Sequence, residues 1–244
     1  MRIPRIHVPA PLAEGTEVVL PPAAARHVAQ VLRLRAGARL RLFDGAGREH
    51  AAELLETRRG EARVRVLAPV APRPESPLAV TLLQGVCKGE RMDLVVQKAV
   101  ELGAARIVPV LTARSVPRLD GARAARRRAR WQGVAAAAAE QCGRAVVPEV
   151  TAPRPLAEAF ADPALPGRRY LLDPDARQGP RGLDAQDGHL ALLVGPEGGL
   201  TEGERAAARA AGFTGLRLGP RILRTETAGL AALAALQALY GDLG

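Results

Sequence analysis

Aromatic side chains are nearly missing from this chain, at 2% of its 244 residues. Leucine, valine and alanine must therefore supply most of any core. Lysine is almost absent too: Lys88 and Lys98 are the only lysines among 35 basic residues, and the rest are arginines. The two cysteines, Cys87 and Cys142, are far apart and match no metal-ligand spacing. The four histidines (His7, His27, His50, His189) are dispersed, so no metal site is expected. No apolar run approaches the roughly 20 residues needed to span a bilayer. The N-terminal MRIPRIHVPAPL has no apolar signal-peptide core. These absences together predict a reduced, cytoplasmic protein with no membrane partner. A dinucleotide fingerprint is also missing: Gly45-Ala46-Gly47 begins one but sits at a hairpin signal, and there is no P-loop. A Rossmann oxidoreductase is disfavoured on that ground.

What is present is charge of one sign. The formal net charge is +10 and the isoelectric point about 11.1. That balance points to a polyanionic partner, with nucleic acid ahead of an anionic membrane surface, and arginine suits phosphate because its planar fork donates two hydrogen bonds at once. Hydrophobic residues at 48% and charged residues at 25% describe a globular chain.

Two patterns divide the chain. Residues 1–70 read as a small β-rich domain. Val18–Leu20, Arg39–Phe43, His50–Leu55 and Ala62–Leu67 are strand candidates, Asp44-Gly45 is a hairpin turn, and Ala23–Leu34 reads as a helix. The stretch Pro69–Pro77 holds four prolines, which interrupt ladders and helices alike, so a linker is expected over 71–77. From Leu78 the pattern alternates. Strands are expected at Leu78–Val86, Arg106–Leu111, Val146–Val150, Tyr170–Leu172, His189–Val194 and Phe213–Leu218. Helices are expected at Glu90–Leu102, Ala122–Gln141, Glu202–Ala211 and from about Thr225 to Tyr240. Continuous apolar strands separated by helices predict an α/β domain over 78–244, a mostly parallel sheet covered on both faces. Ligands in such sheets sit beyond the carboxyl ends of the strands.

Two loops fall at that end. Gly195-Pro196-Glu197-Gly198-Gly199 joins an apolar strand to a helix whose start is fixed by a Thr201–Glu204 capping box. Its glycines let backbone approach a ligand closely, and a tight turn that binds nothing is the equal alternative. The second loop, Leu218–Thr227 (LGPRILRTET), is too polar for punctuation. A capped helix start, with Thr225 as N-cap and Glu226 at the positive helix end, explains part of it. It does not explain Arg221 and Arg224, whose charge is unfavourable there and suggests an anionic ligand. Elsewhere, Arg123, Arg126, Arg127 and Arg130 share one face of a helix and suit RNA or DNA, with a solvated face as the alternative. The last helix, Ala228–Tyr240, has Gln237 as its one strongly polar side chain. A helix apolar all round needs a second covering, and another copy of the chain is the economical one.

The segments KGERMDLVVQKAVELG (Lys88–Gly103), EQCGR (Glu140–Arg144), VGPEGGLTEGE (Val194–Glu204) and LGPRILRTETA (Leu218–Ala228) resemble, in that order, the small-subunit ribosomal RNA uridine N3-methyltransferases of the knotted SPOUT superfamily. HVAQVLRLRAG (His27–Gly37) and LFDGAG (Leu42–Gly47) resemble that family's PUA-like RNA-binding domain. The likeness spans most of the chain. Leu200 stands where the family often has Phe, and the start reads PRIHV where PRFFV is commoner.

The resemblance implies an α/β domain with a deep trefoil knot near the C-terminus, an N-terminal β-barrel-like domain, and homodimers through the knot and the C-terminal helix. It implies S-adenosylmethionine held largely by backbone at Leu172, at Val194, Gly195, Pro196, Glu197, Gly198 and Gly199, and at Leu218, Gly219, Ile222 and Leu223. It implies 16S ribosomal RNA as substrate, met by Arg5, Arg33, Lys88, Arg91, the Arg123–Arg130 face and Arg221. Uracil N3 carries a proton at neutral pH, so the reaction needs proton removal or stabilisation of the uracil anion. Arg224 is the candidate stabiliser; Glu197 and Glu226 are candidate bases, or else loop-orienting and dipole-complementing residues. A knotted ribose 2′-O-methyltransferase and a non-catalytic RNA-binding assembly factor are the competing readings.

Overall fold

The computed structural model describes residues 3–115, 121–183, 185 and 188–244. Met1 and Arg2, the start of the stretch read for a signal peptide, lie outside the described residues. The chain forms two compact units: Met1–Glu75 with Ala136–Val147, and Ser76–Ala135 with Pro148–Gly244.

The first unit holds five strands: β1 (Arg5–His7), β2 (Glu17–Val19), β3 (Arg39–Phe43), β4 (Glu49–Arg58) and β5 (Glu61–Val70). They form a sheet in the order β1-β3-β4-β5-β2, antiparallel except where β1 runs parallel to β3. Alternation along β3 to β5 buries Leu40, Leu42, Ala52, Leu54, Ala62, Val64 and Val66 on one face, as the period of a half-buried strand requires. The helix expected over Ala23–Leu34 is cut short. Helix α1 covers Pro22–Arg26, then a π-turn runs His27–Val31. Leu32 N–H bonds to His27 O and Leu34 N–H to Val28 O, and Arg33 closes the turn at φ +51°. That left-handed conformation ends a helix.

The second unit is built on a seven-stranded sheet. Its strands are β6 (Ala79–Gly85), β7 (Ala104–Leu111), β8 (Glu149–Val150), β9 (Arg154–Pro155), β10 (Arg169–Leu172), β11 (His189–Val194) and β12 (Phe213–Leu216). The order is β12-β10-β11-β6-β7-β8, with β9 also on β7, and every pair is parallel. The strand expected over Val146–Val150 shrinks to β8: Val146 instead bridges Gly45 and Ala46 within the first unit. Helices α4 (Leu156–Phe160) and α5 (Glu202–Ala210) cover one face over Leu83, Val108, Leu171, Ala191 and Leu193. Helices α2 (Arg91–Glu101) and α6 (Thr225–Tyr240) pack on each other, and α6 lies on β6 and β11. Gly229 permits that docking: a Cβ there would stand 3.1 Å from Gln84 Oε1 and 3.4 Å from Val194 Cγ2. Gln237, the one strongly polar side chain over Ala228–Tyr240, is fully buried and satisfied. Its Nε2 donates to Leu78 O (3.1 Å) and Gly103 O (3.3 Å), and its Oε1 accepts from Ser76 Oγ (2.6 Å). Helix α3 runs Gly121–Cys142.

A cavity at the ends of three parallel strands

A cavity of about 570 Å³ opens at the carboxyl ends of β10, β11 and β12, a size typical of small-molecule sites. Leu172, all of Val194–Gly199, Leu218, Gly219, Ile222 and Leu223 line it, so the residues expected to hold a cofactor converge on one space. Arg224, Glu226, Arg221 and Arg91 line the same space. The linear reading missed Asp173, Thr225, Arg114 and Arg205 as lining residues. Asp173 follows β10 directly, and Arg205 sits in the first turn of α5, where a cation is unfavourable. Those two signals were readable. Arg114 had none beyond following β7.

Backbone fit shapes the Gly195–Gly199 wall. Gly199 N–H bonds to Pro196 O at 2.8 Å and Gly199 takes φ +67°, closing a tight turn. Arg114 Nη1 donates to Gly198 O at 2.7 Å. At the end of β6, a Cβ on Gly85 would meet Pro196 N at 2.5 Å and Gly195 C at 2.8 Å, so only glycine lets the strand touch the loop. The expected capping box is formed: Thr201 Oγ1 accepts from Glu204 N at 3.2 Å and Glu204 Oε2 accepts from Thr201 N at 2.8 Å.

Thr225 is not the N-cap. The extended residue before α6 is Arg224 (ψ 152°), and Thr225 is the first helical residue. Its hydroxyl donates to Gly195 O (2.6 Å) and accepts from Gln84 Nε2 (2.9 Å), pinning α6 to both β6 and the loop after β11. Arg221 and Arg224 are exposed, and among the described residues neither side chain has a hydrogen-bond or ion-pair partner.

The carboxylates differ from each other. Glu197 Oε1 accepts from Lys88 N (2.9 Å) and Arg91 Nη1 (3.1 Å). Burial pushes the Glu197 carboxyl up, but the Lys88 and Glu197 N–H groups and the Arg91 guanidinium outweigh it and hold it below the usual range. Glu226 Oε1 stands 3.7 Å from Arg91 Nε, while its Oε2 is buried without a hydrogen-bond partner. Cys87, beside Thr225, is no nucleophile at neutral pH: burial, then the Glu197 charge, push its thiol up to about 11. Among the described residues, no group of three or more His, Cys, Asp or Glu could hold a metal ion.

The cavity can therefore take a ligand with both apolar and polar parts. Leu171, Leu172, Val194, Leu200, Leu216, Leu218 and Leu223 supply apolar wall, and two glycine-bearing loops supply backbone donors and acceptors. Five lining arginines outnumber three lining carboxylates, which favours an anionic second ligand.

Of the arginines read as RNA contacts, Arg5 is removed from that role. Its side chain is 8% exposed, paired with Glu49 at 2.9 Å, hydrogen-bonded to the carbonyls of Ala139, Glu140 and Arg144, and set over the Phe43 ring. Arg33 and Lys88 are exposed. Arg123, Arg126, Arg127 and Arg130 lie along one continuous helix, with Arg123 and Arg126 exposed and Arg130 paired with Asp93.

Comparisons with known proteins agree on a family. The RNA methyltransferase domain family matches residues 74–237 and the RNA methyltransferase PUA domain family matches residues 20–67. The ribosomal RNA small subunit methyltransferase E of Mycobacterium bovis is 38% identical over 220 residues, covering 87% of this chain and 83% of the relative. Its counterpart from Bacillus subtilis is 31% identical, covering 88% and 89%. A putative methyltransferase from Legionella pneumophila, solved with bound S-adenosylmethionine, superposes with a TM-score of 0.95 at 37% identity, covering all of both chains. The ribosomal RNA small subunit methyltransferase E of Neisseria gonorrhoeae, bound to the same molecule, gives 0.91 at 40% identity, again over both whole chains.

Proposed function

We propose, since the chain belongs to the RNA methyltransferase domain family and also matches the RNA methyltransferase PUA domain, that it methylates N3 of a uridine in 16S ribosomal RNA of the small subunit. The methyl donor is S-adenosylmethionine, the molecule bound in the two solved relatives. When bound, it supplies a methyl group activated by a sulfonium. The observation that carries the reading is one cavity in which the cofactor-type loops meet Arg224, an unpaired guanidinium, and Glu226, whose Oε2 no donor reaches.

The chain's own residues then have three tasks. Leu172, the Gly195–Gly199 loop and Leu218–Leu223 hold the donor through apolar contact and backbone polar groups. Fixing it in line with the uracil nitrogen is worth about 7–11 kcal/mol in favourable cases. Arg224 faces the uracil carbonyl oxygens and stabilises the charge that develops as N3 loses its proton. Glu226, which lines the same cavity, is the carboxylate that takes that proton. Glu197 is a weaker acceptor, because its donors stabilise the ionised form, and it serves to hold the loop. Arg33, Lys88, Arg221 and the Arg123–Arg127 part of α3 meet phosphate.

Two structural readings accompany this. A trefoil knot is supported by the connection between β10 and β11, which bonds the segment that follows β12: Arg217 N–H to Gln178 O, and the Tyr240 hydroxyl to Gly182, Leu183 and Pro180. A homodimer is supported by the outer side of α2 and α6, where Leu94 (44% exposed) and Leu239 (42%) stand. A monomeric mass by light scattering at micromolar protein would remove the dimer. A ribosomal substrate supports a cytoplasmic location. Among the described residues no helix is long and apolar enough to cross a membrane.

The test is methylation of small subunits that lack the modification, with the product mapped by mass spectrometry. A methyl group on uracil N3 is expected; one on a ribose oxygen, or none with S-adenosylmethionine bound, overturns the reading.

A further inference from the structure

Arg91 opens α2, and a guanidinium in the first turn of a helix opposes the helix dipole unless something pairs with it. Its partners come from two different walls of the cavity. Nη1 donates to Glu197, in the loop after β11, and Nε faces Glu226, in the first turn of α6. Glu197 is gripped twice by the same turn, since Lys88 N–H also reaches its Oε1. One cation thus faces two carboxylates from different walls of the cavity. The geometry also leaves one carboxylate oxygen, Glu226 Oε2, buried with no hydrogen-bond partner among the described residues.

We infer that Arg91 is a positioning residue, a clamp that ties the cofactor-holding Glu197 loop to Glu226, and not a contact for RNA phosphate. The inference rests on the function proposed above. With the clamp in place, ordering of the Gly195–Gly199 loop by a bound cofactor fixes the carboxylate that meets the nucleotide, so cofactor and nucleotide engage together. Lysine is a poor substitute, because a single ammonium does not span two carboxylates as a planar fork does.

The experiment compares wild type with Arg91→Ala, Arg91→Lys, Glu197→Gln and Arg91→Ala/Glu197→Gln. It reads S-adenosylhomocysteine binding by calorimetry between pH 5 and 8, the salt slope of small-subunit RNA binding, and single-turnover methylation. Arg91→Ala is expected to weaken S-adenosylhomocysteine about tenfold, and the double variant to lose little more, as contacting residues do. Without the guanidinium the Glu197 carboxyl loses one of the groups that hold it below the usual range, so any loss of affinity on acidification sets in at higher pH in the variant than in wild type. Arg91→Lys recovers only part of the loss, and the salt slope is unchanged in all variants. A salt slope lower by about one unit with cofactor affinity intact would make Arg91 a phosphate contact and overturn the clamp. Fully additive losses would overturn it as well. Failure of wild type to bind S-adenosylhomocysteine would instead refute the underlying methyltransferase reading.

Discussion

Arginines of the first unit's sheet and those at the cavity rim of the second live under different rules. On the sheet, Arg39 stands across from Glu53, and Arg65 from both Glu53 and Glu17, with Arg63 beside Glu17 and Glu56. Each side chain is about half exposed, and the ladder of alternating charge neutralises itself. At the rim, Arg221 and Arg224 have no such partner among the described residues. A net charge of +10 therefore says that a polyanion is wanted but not where. Pairing says where, because a guanidinium already bonded to a carboxylate gives up less on losing a phosphate. Arg5 marks the extreme of the paired class, buried with Glu49 and used up as structure.

Four substitutions sharpen this contrast. The largest effect is expected for Arg224→Ala, where loss of a charge stabiliser lowers single-turnover methylation by about 10²–10³-fold. Calorimetry with S-adenosylhomocysteine should find binding largely intact, and unchanged turnover would dismiss the role. Arg5→Ala comes next and acts on stability alone. Breaking a buried pair costs about 3 kcal/mol, read as a lower urea midpoint, with cofactor affinity unaltered; Arg41 at 3.5 Å from Glu49 keeps the cost from rising further. The smallest effect separates two exposed arginines. Arg33→Ala should lower the salt slope of RNA binding by about one unit, whereas Arg65→Ala should leave the slope alone and cost under about 1 kcal/mol. Equal slopes for the two would erase the contrast between paired and unpaired arginines.

Much of the second unit was legible in the sequence. Leu78–Val86 and Leu190–Val194 are mostly apolar runs of strand length, broken only by Thr81, Gln84 and Gly85, as suits a strand covered on both faces. Their order with the helices fixed which loops lie at the carboxyl edge, and all the expected cofactor-holding residues do line one cavity. Other parts gave no linear signal. Strand β1 is three residues long, and β9 and α4 together are seven, too short for any period to register. The π-turn at His27–Val31 continues helical spacing in sequence while changing the hydrogen-bond partner. Ala136–Val147 joins the first unit although its first residues, Ala136–Cys142, are the end of helix α3, whose start belongs to the second.

Residue types, their periodicity and the polar loops thus settled by themselves the α/β class, the strand–helix order, and which segments carry chemistry, because these follow from local sterics and the burial of apolar faces. Partnership was decided only in three dimensions. Thr225 reads as a helix cap and is a pin to Gly195; Arg5 and Arg91 read as phosphate contacts and are held by carboxylates. A hydrogen bond or ion pair is set by a few ångströms between groups from distant segments. Those distances come from strand register and loop closure, which no spacing along the chain encodes.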